Sequence, residues 1–401
     1  MKIVLSSRGS RGDIYPVIEL ATTLKDNGHI VAIGIPETFE EYAKEKGLEP
    51  HLYREDSDKV MKDFGHGMNS SKKGFSFIAS SVHQQYDFMM KETEDADAIL
   101  ASVSEIAAPT IAEYRKIPLY RIAYAPVLPG TQPPPLIPFQ NMSEKLNVVT
   151  WGAFQFLSKL VIKKLLDKKR KKLGLKPVKD SNRYFTEKCH TLLAINQTLA
   201  PPCHTWEKRY NFSYTGYCFG KSDDKLSDEL IEFIEQGEPP IYIGFGSVHI
   251  KNPERFTDIV IEASEKASKR IVLSRGWTGL GNKHYPENIF ITDDTNHETL
   301  FPKMAGIIHH GGSGTTHMAA KAGVPQFIMP EMIDQFYWGN RVFKMELGPK
   351  PVSSKKVTVN ELSTVLEQIS NGKYRNKTEN FSEEIRKEDG ISKIVDLITK
   401  T

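Results

Sequence analysis

Residues 307–330 read IIHHGGSGTTHMAAKAGVPQFIMP: an apolar run, two histidines, a glycine-rich turn and a stretch of small residues suited to a helix. The chemistry sits at the turn. The first N–H groups of a helix lack intrahelical partners and lie at the positive end of its dipole, so a phosphate or diphosphate fits there. Gly311, Gly312 and Gly314, with Ser313 and Thr315 between and after them, let such an anion approach the main chain closely. His310 can donate a hydrogen bond or a proton to a phosphate oxygen. The same residues also make a tight turn over buried histidines, and the turn alone leaves both readings open. Two further segments share its placement after an apolar run. In GFGSVH, Gly246 and Ser247 offer a second phosphate contact, and in EMIDQFYWGNRV, Asp334 and Gln335 follow the run at 326–329. A carboxylate accepts hydrogen bonds and an amide both donates and accepts, a pairing suited to the hydroxyls of a sugar. On its own, Asp-Gln is an ordinary helix start.

Positioning these residues requires strand ends, and the chain supplies them. KIVLS is followed by a loop rich in Gly and Arg, then by YPVIELATTLKDNGH with Val17, Leu20, Ala21 and Leu24 at helical spacing, then by the β-branched IVAIGIP. DAILAS and PLYRIAYAP continue the series. A second series runs PIYIGFGS, a helix at about 253–269, RIVLS, IFIT, AGIIHH, a helix from Ser313, and PQFIMP. Alternation of this kind predicts two α/β units, each an open, doubly wound parallel sheet, facing each other across a cleft at their carboxyl strand ends. The polar, Gly- and Pro-punctuated stretch 216–240 reads as the connection, with a boundary at Gly220. The expected division is 1–219, 220–380, and a last helix at 381–401 that returns to the first domain.

Composition narrows the class. At 401 residues and 39% hydrophobic, the chain suits two cores rather than one. Cys189, Cys203 and Cys218 are odd in number and lack CxxC spacing, so neither a disulfide framework nor a thiolate metal site is expected. The amino end offers only Ile3, Val4 and Leu5 before polar residues, short of the apolar stretch of an export signal, which predicts a cytoplasmic protein. The net charge of +3 hides a local excess. Residues 141–176 carry ten Lys/Arg against Glu144 and Asp167, a net of +8, so the remainder is acidic. A general nucleic-acid binder is excluded, because neither a broad basic patch nor a binding motif is present.

Together these segments resemble the inverting, nucleotide-sugar-dependent glycosyltransferases with two Rossmann-like domains facing across a cleft, the GT-B fold. The closest subgroup is the sterol glucosyltransferases with the bacterial glycopeptide, macrolide and flavonoid enzymes. The residues carrying the resemblance are SRGSRGDIYP at 7–16, YIGFGS at 242–247, IVLSRGW at 271–277, the glycine turn, and Asp334–Gln335, in the family's order along nearly the whole chain. The resemblance implies that His310 and the turn 311–315 hold the donor diphosphate with Gly246 and Ser247, that Ser10 and Gly12 lie on the donor side, and that Asp334 and Gln335 bind the transferred sugar, often glucose. Trp277, Asn296 and His297 fall where the family holds the nucleobase. There the chain departs from the pattern, with Thr299 in NHETLFP where a tryptophan is usual.

Asp13 matches the family's catalytic acid. By residue type it reads first as a helix cap, and the motif makes it the general base. The attacking hydroxyl acidifies as its bond to the anomeric carbon forms, and a carboxylate within reach takes that proton. His310 and the turn amides would stabilise the leaving diphosphate. The implied requirements are a UDP-sugar, UDP-glucose foremost, with no cofactor or metal. An epimerase or hydrolase of the same fold, or a non-catalytic lipid- or sugar-binding protein, are the rival readings.

Acceptor recognition is assigned to the first domain, through the proline-rich YAPVLPGTQPPPLIPFQN and the helix beyond it, with Pro126, Phe139, Trp151 and Phe154 as contacts. The acceptor is expected to be apolar or aromatic. In the segment 141–176, Trp151, Phe154, Leu157, Val161 and Leu165 follow helical spacing amid lysines. The plainer reading packs that stripe on the core and leaves the lysines in water. The other reading rests the helix on an anionic membrane.

Overall fold

A computed structural model describes residues 1–54, 71–220, 225–246, 248, 250–276, 285–293 and 295–400. The first sheet has seven parallel strands in the order β3-β2-β1-β4-β5-β6-β7: β1 (Lys2–Ser6), β2 (Ile30–Pro36), β3 (His51–Tyr53), β4 (Ala98–Ser102), β5 (Leu119–Ala123), β6 (His190–Leu193) and β7 (Phe212–Tyr214). The second has five parallel strands in the order β10-β9-β8-β11-β12: β8 (Ile241–Gly244), β9 (Ile271–Ser274), β10 (Ile289–Thr292), β11 (Gly306–His309) and β12 (Gln326–Ile328). Strands buried on both faces read as unbroken apolar runs, and Ile3, Val4, Leu5, Ile99, Leu100, Ile243, Ile307 and Ile308 are all fully buried. In each sheet the strand order reverses beside the first strand, between β1 and β4 and between β8 and β11. Chains leave those neighbours in opposite directions, and the crevice between the departing loops is where such folds take ligands.

Seven helices position the site or join the domains: α1 (Arg11–Asp26), α2 (Ser71–Glu92), α3 (Glu144–Lys172), α4 (Ser313–Ala322), α5 (Gln335–Lys344), α6 (Arg375–Ile385) and α7 (Gly390–Thr399). The first starts a turn earlier than its apolar spacing predicts, because Ser10 caps it and Asp13 occupies the third helical position, leaving Pro16 inside. The helix after β8 runs Pro253–Lys266, three residues shorter than expected. The domains are joined by packing as well as by the chain. Ala123, Leu193 and Trp206 of the first share one apolar cluster with Ile328 and Trp338 of the second and with Phe381 and Ile385 of α6. In the last helix, Ile394, Val395 and Ile398 pack with Val17, Leu20 and Leu24 of α1. The backbone N–H of Asn196 donates to His317 Nε2 at 3.1 Å across this junction.

Candidate active site

The loops at the two switch points line one cleft of about 1000 Å³. On the first-domain side, the turn after β1 ends in α1, and its capping fixes Asp13. The carboxylate Oδ2 accepts from the Ser10 backbone N–H at 2.9 Å and from the Ser10 hydroxyl at 3.1 Å. Gly9 makes this possible. Its φ is +131°, and a β-carbon there would lie 2.3 Å from Asp13 Oδ2. Burial raises the Asp13 pKa from 3.8 to about 6, with the two Ser10 hydrogen bonds holding it lower than burial alone would. Thus Asp13 is a cap residue and a cleft residue at once, and Ser10 and Gly12 line the cleft beside it.

Across the cleft, β11 delivers the two histidines into different environments. His309 is fully buried and locks the turn: it accepts from the Gly311 N–H through Nδ1 at 3.1 Å, and its Nε2 meets the Gln326 side-chain oxygen at 3.0 Å. His310 lines the cleft, and its buried Nδ1 has no hydrogen-bond partner among the described residues. Burial first, and His297 second, push the His310 pKa down to about 4, so its imidazole is neutral near pH 7 and donates a hydrogen bond rather than a charge. Gly311 sits at φ +94°, where a β-carbon would meet Ile328 Cγ2 at 2.5 Å. The chain then enters α4, and Gly312, Ser313, Gly314 and Thr315 bring its unpaired first-turn amides to the cleft wall.

The loop after β12 completes this side. Asp334 Oδ2 accepts from Trp338 Nε1 at 2.9 Å, one turn along α5. Its pKa is raised from 3.8 to about 7, mainly by burial and in part by the negative charge of Asp13. Gln335 Oε1 is taken by the backbone N–H groups of Glu331, at 2.8 Å, and Met332, at 3.0 Å. Its amide nitrogen is therefore what remains to offer a ligand, as donor only, and the hydroxyl-accepting role falls to Asp334. Ile333, between them and the preceding proline turn, holds φ +51° and lines the cleft.

Gly246, Asn296 and His297 line the same cleft. Asn296 caps the short helix His297–Leu300, accepting from Glu298 N–H at 2.9 Å, and His297 stacks on Phe301 with centroids 4.3 Å apart. Thr299 turns away, its hydroxyl donating to Asn296 O at 3.1 Å. Ser247 and Trp277 lie outside the described residues.

The structure does not bring the four expected acceptor contacts to the cleft. Trp151 is 4% exposed because it packs under the proline-rich loop, donating through Nε1 to Gln132 O at 3.0 Å. Pro126 is buried behind its cleft-lining neighbours Ala125 and Val127. Phe139 and Phe154 point to solvent. The apolar wall is built instead by α2, through Phe77, Ile78 and Val82, with Ile106, Val127 and Leu136. Helical spacing in FSFIASSVHQQ was the available signal for that wall, and Tyr124 and Tyr217 beside Asp13 gave none.

Comparison with known proteins agrees with this fold. Residues 3–129 match the glycosyltransferase family 28 N-terminal domain, and residues 262–399 match the C-terminal domain of erythromycin biosynthesis protein CIII-like proteins. The vancomycin aglycone glucosyltransferase of Amycolatopsis orientalis is 30% identical over 355 residues, covering 87% of this chain and 85% of that protein. A sterol 3-beta-glucosyltransferase of Arabidopsis thaliana is 27% identical over 424 residues, covering 99% of this chain, which spans 67% of the plant protein. Among solved structures, the kitacinnamycin glycosyltransferase superposes with a TM-score of 0.76 at 20% identity, over 100% of this chain and 98% of its own. The calicheamicin enzyme does so with 0.75 at 16% identity, over 100% and 97%. With both domains matched in sequence and the two facing parallel sheets matched in space, the chain belongs to the glycosyltransferases of the GT-B fold.

Proposed function

We propose that this glycosyltransferase moves a hexose, glucose from UDP-glucose, with inversion onto a hydroxyl of an apolar or aromatic acceptor, using neither metal nor cofactor. The observation that carries the reading is the opposition, across one cleft, of Asp13 to the amino end of α4 with His310. In this scheme the α4 amides and the neutral His310 donate hydrogen bonds to the donor diphosphate and stabilise the charge that grows as it leaves. Asp334 accepts from, and the Gln335 amide donates to, hydroxyls of the sugar. Asp13, with a pKa near 6, is mostly ionised at pH 7 and is a stronger base than an ordinary aspartate. It takes the acceptor's proton as that oxygen attacks the anomeric carbon. One displacement converts an α-linked donor into a β-linked product. The wall of Phe77, Ile78, Val82, Ile106, Val127 and Leu136 favours an apolar acceptor, and the names of the sterol and vancomycin aglycone relatives are in keeping with it.

The test is donor consumption, with UDP-glucose and TDP-glucose, in the presence and absence of a sterol, a flavonoid and a macrolide. Acceptor-dependent release of UDP, unaffected by EDTA, and a β-glucoside by NMR are the expected result. Donor breakdown without acceptor would favour the hydrolase or epimerase reading, and donor binding without turnover would favour a binding protein.

A further inference from the structure

The helix α3 has two faces. Its inner face buries Asn147, Trp151, Ile162, Leu166 and Arg170, and polar bonds pin it there. Asn147 Nδ2 donates to Thr131 O at 2.8 Å, and Arg170 donates to Glu113 at 2.9 Å and to Thr110 at 3.1 Å. At 100° per residue, the opposite face carries Leu146, Val149, Phe156, Leu157 and Leu160, which are 55%, 68%, 61%, 60% and 49% exposed. The plainer reading of the sequence, with the apolar stripe packed on the core, holds for Trp151, which is buried, and for Leu165, which packs partly buried on the core, but not for Phe154 and Leu157, which are in solvent. Isolated exposed apolar side chains are ordinary, whereas a run of five large ones along one helix face marks an interaction surface.

The charge on the same helix says what covers it. Beyond Leu160 the exposed lysines are Lys163, Lys164, Lys168, Lys171 and Lys172. Lys169 is not one of them, since its ammonium lies 3.7 Å over the Tyr86 ring and 3.8 Å from Asp87. A protein partner in the form of a second copy would bring two such +8 segments together. An anionic lipid surface instead receives both parts, apolar side chains in the acyl boundary and ammonium groups among the headgroups. Among the described residues no helix is long and apolar enough to cross a membrane, so the helix would lie on the surface.

We infer that the outer face of α3 docks the first domain on anionic lipid bilayers. The consequence for the cleft follows from Leu136, which lines the acceptor wall and is also 42% exposed. Its loop is held to α3 through the Trp151 bond to Gln132 O and the Asn147 bond to Thr131 O. Docking therefore sets the apolar mouth of the cleft beside the bilayer, where a membrane-dissolved acceptor enters without crossing water. This delivery step rests on the glycosyl-transfer reading of the cleft. The docking does not.

The test is flotation of the full chain with vesicles of phosphatidylglycerol and phosphatidylcholine, and with phosphatidylcholine alone. Binding to the anionic vesicles alone is expected at low salt. It should weaken at least about tenfold in 0.5 M salt, and to a similar degree on combining K163Q, K168Q, K171Q and K172Q. Combined Val149→Ser, Phe156→Ser and Leu157→Ser should abolish binding with an unchanged circular dichroism spectrum. Both variants should retain transfer to a soluble flavonoid and lose transfer to a vesicle-embedded sterol. Wild-type protein left unbound by anionic vesicles at low salt, or serine variants that bind undiminished, would overturn the docking. So would a wild-type dimer by light scattering that the serine variant turns into a monomer. Intact vesicle binding with no transfer to either acceptor would instead sink the transferase reading.

Discussion

Asp13 is held by the fold as a helix cap and is, in the proposed reaction, the base. Its Oδ2 is committed to Ser10, while burial in the cleft raises its pKa to about 6. As a general base it works ionised, so the transfer rate should be flat above pH about 7 and fall as pH drops through 6, toward tenfold per unit. Asp13→Asn should lower kcat by at least about 100-fold and remove that acidic limb, with UDP affinity by calorimetry unchanged. A surviving limb at pH 6 in the Asn variant would assign it to another group, Asp334 first. The residue types at 13, 310, 334 and 335 were legible in the chain. What each offers a ligand was not: the neutrality of His310 comes from burial, and the donor-only role of Gln335 comes from two backbone N–H groups that fold back on it.

At the scale of elements, the site depends on how two helices begin. The turn before α1 brings Gly9 against Asp13 so closely that only hydrogen fits on its α-carbon. Gly9→Ala should therefore copy the kinetic defect of Asp13→Asn, because a β-carbon displaces the carboxylate and strains a backbone at φ +131°. The glycine turn proposed to hold the diphosphate lies on the other domain, so UDP affinity should hold. Normal kcat in Gly9→Ala would show that the turn relaxes freely. The strands bounding these turns were legible as apolar runs because parallel strands are buried on both faces. The three-residue strands β3 and β7 were not, being too short to show a pattern. Helical spacing marks α2, but it does not show that Phe77, Ile78 and Val82 divide between core and cleft.

For the whole molecule, the shared cluster around Trp206, Trp338 and Phe381 ties the two domains into one stability unit. Phe381 is 7% exposed and lies outside the cleft lining. Phe381→Ala should cost about 3 kcal/mol and lower the melting of both domains in calorimetry, with donor affinity kept at low temperature. Two separate transitions, of which only one moves, would show that the domains unfold independently.

The sequence by itself determined the alternation of strand and helix, the glycine turn with its histidines, and the acidic residues at strand ends. Those are local properties: burial on two faces demands apolar runs, and a turn beside an anion demands glycine. Only the tertiary structure decided which residues meet. Trp151 and Phe154 share one helix and a similar chemistry, yet the proline-rich loop covers the first and leaves the second in water. The apolar wall of the cleft comes in large part from α2, some 60 residues from Asp13 in the chain. Its membership is set by the crossing of helices over the sheet, and that crossing is a property of packing between distant segments.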